Sequence, residues 1–130
     1  MRCLHLHGDN DGETHLTEID PPVRDTHAGT VRGLSNIPVT TMGFGEFIGR
    51  KPDIGFHNAP RRQLLVVLQG ELELVTTLGQ RERLGPGDLV LADDIGTKGH
   101  VSRDVGTDAL IVMAVGIADD WNGPVMGDGV

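Results

Sequence analysis

The sequence has a single cysteine, three phenylalanines, one tryptophan and no tyrosine among its 130 residues. With Cys3 alone, the chain forms no internal disulfide, which is compatible with a reducing compartment. Proteins that bind single-stranded nucleic acids use aromatic side chains as stacking platforms, and this chain has few of them. Its formal net charge of −8 also disfavours a phosphate backbone as a partner. We therefore predict that the protein binds no nucleic acid.

Long apolar runs are missing as well. No stretch approaches the roughly 20 apolar residues of a membrane-spanning helix, and the N-terminal stretch Met1–Gly12 lacks the apolar core of a secretory signal. These absences predict a cytoplasmic protein without a membrane partner. The length fits one domain over residues 1–130 that can bury a core without disulfides.

Short alternating or apolar segments separated by glycine and proline dominate the rest of the chain, which contains 19 glycines and 7 prolines. No segment has a convincing helical period with caps, so the pattern predicts an all-β sandwich or barrel. The stretch Asp20–Pro38 has no period and is predicted to be a long loop. The predicted strands are Arg2–His7, Thr14–Ile19, Val39–Gly49, Gln63–Gln69, Glu71–Thr77, Arg81–Leu84, Leu89–Ala92, His100–Arg103 and Ala109–Ile117.

The stretch Gly55–Leu74 is predicted to form a strand, a glycine turn and a second strand, and it carries His57, Ala59, Gln63 and Gly70. With this spacing it resembles the first motif of the cupin superfamily, the small jelly-roll barrels. In that motif, two histidines separated by one residue precede an acid and then a glycine. Ala59 stands where the family has its second histidine, and Gln63 stands where it has the acid. This stretch therefore resembles a degenerate form of the family's metal-binding motif.

A second similarity lies downstream, where the turn Pro86–Asp88 and the later His100 resemble the second cupin motif. The resemblance implies a single domain with an antiparallel jelly-roll β-barrel. Residues 1–38 would supply N-terminal strands and a loop, residues 39–117 the barrel, and residues 118–130 a C-terminal tail. It also implies a homodimer formed through the terminal strands, because exposed strand edges favour pairing.

A regular strand would place His57, Arg61 and Gln63 on one face, which the resemblance turns toward the barrel interior, where His100 would join them. Imidazoles can take and give protons near neutral pH. The planar guanidinium of Arg61 would bind a carboxylate or enolate, and Gln63 would add a neutral hydrogen bond. We therefore predict a small-molecule enzyme of isomerase, cyclase or lyase type, acting on a small oxygenated or carboxylate substrate.

Two other functions remain open. Zinc, iron and manganese sites of the family rest on several imidazoles and a carboxylate, whereas this chain offers the reduced set His57, Gln63 and His100. No cofactor is preferred, and a divalent metal is the alternative, with the loop acids Asp93 and Asp94 as further ligands or as partners of backbone N–H groups. In the third interpretation the barrel binds a small ligand without catalysis.

The remaining polar candidates have simpler interpretations. The adjacent Arg61 and Arg62 either point to opposite sides of a strand or both lie on the surface as ion-pair partners. His5 and His7 share a strand face with Cys3, and the spacing of the two histidines is typical of metal ligands. Their position near the terminus favours a solvent-facing or dimer-edge strand instead.

Overall fold

The computed structural model describes residues 1–121, and within this range the chain forms eleven β-strands and no helix. The all-β prediction is confirmed. None of these residues builds a helix with the length and apolarity needed to cross a membrane. The strands in chain order are β1 (Cys3–Gly8), β2 (Thr14–Ile19), β3 (Val23–Thr26), β4 (Gly29–Arg32), β5 (Val39–Glu46), β6 (Gln63–Gln69), β7 (Leu72–Val75), β8 (Arg81–Leu84), β9 (Leu89–Asp93), β10 (Val101–Asp104) and β11 (Ile111–Ile117).

Six of these strands form one sheet in the order β2-β1-β9-β6-β11-β5, and a three-stranded sheet has the order β10-β7-β8. The described sheets do not close into a continuous barrel. All neighbours are antiparallel except β1 and β9, which run parallel and depart from the predicted antiparallel arrangement. The backbone N–H of Arg2 donates to the Asp88 carboxylate, and Leu89 N–H donates to the Arg2 carbonyl oxygen. These two bonds hold the start of β1 beside the start of β9.

The N-terminal segment differs from its prediction in two respects. β1 lies between β2 and β9, so it has no free edge, and the edges of the six-stranded sheet are β2 and β5. The prediction that β1 is an exposed edge strand was therefore wrong, and the homodimer through the terminal strands stays a prediction. The predicted loop Asp20–Pro38 contains the hairpin of β3 and β4, paired through the turn at His27 and Ala28. Of the predicted C-terminal tail, residues 122–130 lie outside the described residues.

The apolar core is divided between the two faces of the six-stranded sheet. Alternation along β6 sends Leu65 and Val67 toward the three-stranded sheet, where they meet Leu72 and Leu74. Leu64 points to the opposite face and belongs to a second cluster. The face that bears Leu65 and Val67 is therefore the inner face, and it borders the space between the two sheets, in which a small ligand can be enclosed. The second cluster is formed by Cys3, Ile19, Leu64, Leu91, Val115, Ile117 and Trp121.

Candidate functional site

Two histidines face each other where the segment before β6 meets the segment before β10. His57 N–H donates to the His100 carbonyl oxygen at 3.0 Å, and His100 N–H donates to the His57 carbonyl oxygen at 2.9 Å. Directly opposed residues of an antiparallel pair project their side chains to the same side. The ring centroids accordingly lie 4.7 Å apart, with 50° between the ring planes.

Gly99 makes this close backbone approach possible. A Cβ added at this position would lie 2.5 Å from the His57 carbonyl oxygen, and the residue has φ of +85°. A side chain would therefore clash with the opposite strand, and an L-residue would also be strained in the left-handed region. The glycine that precedes His100 in the sequence is part of what brings the two imidazoles together.

Asp94 orients His100 from behind. Its carboxylate is completely buried, and its Oδ2 lies 2.6 Å from His100 Nδ1. The other oxygen, Oδ1, accepts the N–H of Ala59 at 3.2 Å. The Asp94 carbonyl oxygen in turn accepts the Thr97 hydroxyl at 2.7 Å and the Asn58 side-chain amide at 3.0 Å. The acid is thus fixed by its loop. It was predicted as a further metal ligand or as a partner of backbone N–H groups, and the bond from Ala59 N–H agrees with the second alternative, whereas its contact with His100 was not predicted.

Each imidazole leaves one nitrogen free for other partners. The Gly55 carbonyl oxygen lies 2.9 Å from His57 Nδ1 and can only accept, so His57 carries a proton on Nδ1. The carboxylate of Asp94 imposes the same tautomer on His100. In the neutral rings both Nε2 atoms are then proton acceptors. His100 is 7% exposed, so its Nε2 acts in a poorly hydrated environment.

Both rings line a cavity of about 110 Å³ between the sheets, together with Gln63 and Ser102. Its walls are otherwise mostly apolar. A second cavity of about 110 Å³ shares Leu65 and Ser102 with the first and therefore continues it along the interior. These dimensions suit a small molecule with few polar groups.

Two larger hollows of about 310 and 420 Å³ lie at the loops around Arg50. Several of their charged side chains pair with one another, as Arg50 does with Asp104 and Arg103 with Asp53. Neither hollow contains a histidine. The interior cavities are therefore the better candidates for a functional site, although the surface hollows are larger.

The predicted position of Arg61 was wrong. The side chain is exposed and does not line either interior cavity. The chain bends at Pro60–Arg62, and β6 starts only at Gln63, so the alternation of a regular strand does not extend back to Arg61. Arg62 is buried, but its Nε lies 3.3 Å from Asp93 Oδ1 on the outer side of the sheet, away from the cavity.

Lys51 was not recognised as a candidate from the sequence, where it starts a stretch predicted to be a turn. It lines the second cavity and is the one cationic side chain at the two interior cavities among residues 1–121. Its Nζ donates to the Ser102 carbonyl oxygen at 3.0 Å and to the Pro52 carbonyl oxygen at 3.2 Å. Burial lowers the pKa of Lys51. No sequence signal would have identified it, because the chain returns to the cavity after a loop.

Three other histidines, His5, His7 and His15, lie on the outer face of the six-stranded sheet. His7 stacks between His5, at a centroid distance of 4.6 Å, and His15, at 5.8 Å. His5 Nε2 lies 3.1 Å from Asp93 Oδ2, so Asp93 belongs to this group and does not reach the cavity. Stacked rings do not converge on a shared point, and no group of three or more His, Cys, Asp or Glu residues in the described range is arranged to hold a metal ion.

The donors at the cavity fit a tightly bound divalent metal poorly. His57 and His100 would offer their Nε2 atoms, and Gln63 a neutral amide oxygen. The nearest carboxylate, Asp94, is occupied by His100 Nδ1 and by the Ala59 N–H. First-row metals in oxygen and nitrogen sites usually gain from a directly bound carboxylate.

No protein-family model matches the chain, and no curated protein shows significant similarity to it.

Proposed function

We propose that the protein is a small-molecule enzyme of isomerase, cyclase or lyase type that transfers protons through His57 and His100. One observation carries the proposal: the buried 2.6 Å contact between Asp94 and His100, beside the ring of His57. A carboxylate on Nδ1 stabilises the imidazolium that forms when Nε2 takes a proton. A buried imidazole without such a partner would lose that stabilisation on protonation.

The proton balance of such a reaction is simple. His100 Nε2 takes a proton from one atom of the substrate, and the protonated His57 Nε2 gives a proton to another atom. The pair therefore holds the same number of protons before and after turnover, once the rings exchange a proton with each other or with water. The amide N–H groups of Gln63 and the hydroxyl of Ser102 line the same cavity and can donate to a developing oxyanion.

The cavities favour a particular substrate class. Their apolar walls and small volumes suit a compact molecule with an acidic C–H or a hydroxyl group near the two histidines. Lys51 takes over the role that was predicted for Arg61, because its ammonium can bind a carboxylate at the opposite end. The proposed site therefore consists of His57, His100, Asp94, Gln63 and Lys51.

We further propose that the two sheets form a jelly roll of the cupin type. The pairing of His57 with His100 supports this proposal, since it joins the segment that leads into the six-stranded sheet to the segment that leads into the three-stranded sheet. The core packing between the inner faces of the two sheets supports it as well.

The enzymatic proposal can be tested before the natural substrate is known. Small keto acids, hydroxy acids and phenols are incubated with the protein in D₂O, and the loss of each C–H signal is followed by proton NMR. We expect exchange with a subset of these compounds, and a loss of about 100-fold or more in His57→Gln and in His100→Gln. His27→Gln, at an exposed turn, serves as the control. Parental exchange rates in both cavity variants would rule out acid–base roles for them.

A metal-dependent enzyme is the second candidate, and the same Asp94–His100 contact favours it. Metal-bound histidines typically donate their second ring nitrogen to a carboxylate. Elemental analysis of protein purified without an affinity tag separates the two candidates. Stoichiometric zinc, iron or manganese, whose removal abolishes exchange, would favour the metal-dependent enzyme. Binding of the compounds without any exchange would favour a non-catalytic ligand-binding protein.

A further inference from the structure

The amine of Lys51 is accessible both from the interior of the molecule and from its surface. Lys51 lies in the segment between β5 and His57. Its side chain lines the second interior cavity, and it also lines the surface hollow of about 420 Å³. A small molecule in either space can therefore contact this amine.

The hydrogen bonds of Lys51 leave its nitrogen free to react in one direction. Nζ donates to the carbonyl oxygens of Ser102, at 3.0 Å, and of Pro52, at 3.2 Å. A neutral amine has two N–H groups and one lone pair. The two bonds therefore use both N–H groups and leave the lone pair for a bond to carbon. An ammonium in the same place would have a third N–H group there, which suits a carboxylate.

The carboxylates near Lys51 bond to other groups. Asp53 accepts the Nε of Arg103 at 3.0 Å, and Asp104 accepts the backbone N–H of Lys51 at 3.1 Å and pairs with Arg50. Burial lowers the pKa of the Lys51 amine from its ordinary value of 10.5, although both carboxylates act to raise it. The nucleophilic, neutral form is therefore more abundant than in an ordinary lysine at the same pH.

We propose that Lys51 forms an imine with the carbonyl carbon of a small aldehyde or ketone, and that this imine prepares the adjacent C–H for proton transfer. The second part rests on the proton-transfer function proposed for His57 and His100. The Nζ lone pair forms the C–N bond, and the carbonyl oxygen leaves as water with the two amine hydrogens. When the imine takes a proton from water, its single N–H can donate to the carbonyl oxygen of Ser102 or Pro52.

The protonated imine withdraws electrons from the neighbouring carbon, so a C–H bond there becomes more acidic. This names the substrate class of the proposed enzyme as carbonyl compounds. Keto acids can react with Lys51 in this way, whereas hydroxy acids and phenols cannot. We therefore expect only the keto acids of these three classes to exchange their C–H hydrogens.

The amine and the histidines are arranged along the same interior space. Ser102 lies two residues after His100 and lines both interior cavities. Residues two apart in an extended segment share a face and lie about 6.5–7 Å apart. Because Lys51 Nζ is bonded to Ser102, a short carbon chain attached to Nζ and directed along the cavities extends toward the histidines. The apolar walls of the second cavity exclude water, which would hydrolyse the imine. They consist of Phe47, Leu65, Leu72, Leu110 and Val112.

Reductive trapping tests the imine directly, because the sequence contains only two lysines, Lys51 and Lys98. The full chain is incubated with propanal, butanone or pyruvate and with sodium cyanoborohydride, and peptide mass spectrometry locates each adduct, including any on the α-amino group of Met1. Lys98 is the internal control, since it is exposed and its bond to Glu13 raises its pKa. At about pH 7, we expect about tenfold or more label on Lys51 than on Lys98. Unfolding in urea should remove this preference.

Lys51→Arg is the matched variant, because it keeps the positive charge but cannot form an imine. It should lower the C–H exchange of the carbonyl compounds by about 100-fold or more, whereas Lys98→Arg should retain parental exchange. His57→Gln and His100→Gln should keep the label on Lys51 while they lose exchange. Label on Lys51 together with parental exchange in both histidine variants would refute their proton transfer and leave the imine intact. Equal labelling of the two lysines in the folded chain, or parental exchange in Lys51→Arg, would overturn the present proposal.

Discussion

The residue on which the proposed chemistry depends most is Asp94, because it determines which nitrogen of His100 faces the cavity. Asp94→Asn keeps the size of the side chain but removes the charge that stabilises an imidazolium. We expect proton exchange in D₂O to fall by about 10²- to 10⁴-fold. The buried charge-assisted hydrogen bond would also be lost, which should lower the free energy of unfolding by roughly 1.5–3 kcal/mol.

The neighbouring acid offers a matched control for this change. Asp93 precedes Asp94 directly, but it bonds His5 and pairs with Arg62 on the outer face. Asp93→Asn should therefore leave exchange near the parental rate while it also lowers stability, as measured by urea denaturation. Equal loss of exchange in the two variants would mean that Asp94 acts through the fold and not through His100.

The residues of the site show where sequence reasoning succeeded and where it failed. His57, Gln63 and His100 were selected by motif spacing, and the structure places them at one cavity. Arg61 was misplaced because strand alternation was extended through a bend that starts at Pro60. The contact of Asp94 with His100 was missed because loop geometry, which decides it, leaves no period in a sequence.

At the scale of elements, apolar patterning located most strands correctly, and β2, β6 and β8 match their predicted limits at both ends. Partner choice was less accessible. The parallel pairing of β1 with β9 depends on contacts between Arg2 and the Asp88–Leu89 segment, far apart in the chain. β6 was also predicted to be buried on both faces, yet Leu68 is 47% exposed. An apolar run cannot distinguish a side covered by the same chain from one that a partner covers.

Strands β1 and β2 together create a pH-sensitive element, the stacked histidines His5, His7 and His15. Burial, and then the charges of His5 and His15, lower the pKa of His7 below its ordinary value of 6.5. Between the lowered value and 6.5 the unfolded chain binds a proton that the folded chain does not, so stability decreases as the pH falls below 6.5. We expect His7→Gln to reduce the stability lost between about pH 7.5 and pH 5.5.

The groups around His7 do not reverse this expectation. The pKa of Asp9 is lowered from the ordinary 3.8, chiefly by its hydrogen bond to His15. Burial acts to raise the pKa of Asp93, but its hydrogen bond to His5 contributes to a net lowering below 3.8. Their contributions are therefore lost only at still lower pH. Urea denaturation at both pH values checks the prediction, with His27→Gln as the exposed control. A parental slope in His7→Gln would show that another group titrates in this range.

At the scale of the whole molecule, two sheets enclose an interior that contains two cavities of about 110 Å³ each. Unfilled space between packed sheets lowers stability, because the lining atoms lose dispersion contacts. Proteins commonly retain such space where a ligand has to enter, at some expense of stability. A defect in packing and a ligand site therefore make opposite predictions for a substitution that fills the cavity.

Ala92→Leu separates these two explanations. Ala92 lies on β9, is 6% exposed and lines the cavity of about 110 Å³ beside His57 and His100. Three added carbon atoms at about 0.8 kcal/mol each, reduced by packing strain, should raise the free energy of unfolding by about 1 kcal/mol.

If the cavity is a ligand site, the same substitution should abolish exchange and remove any rise in melting temperature caused by the exchanging compounds. Ala28→Leu, in the exposed turn between β3 and β4, should change neither property. Undiminished exchange in a stabilised Ala92→Leu would place the chemistry outside this cavity, since a leucine side chain and a substrate cannot occupy the same small volume.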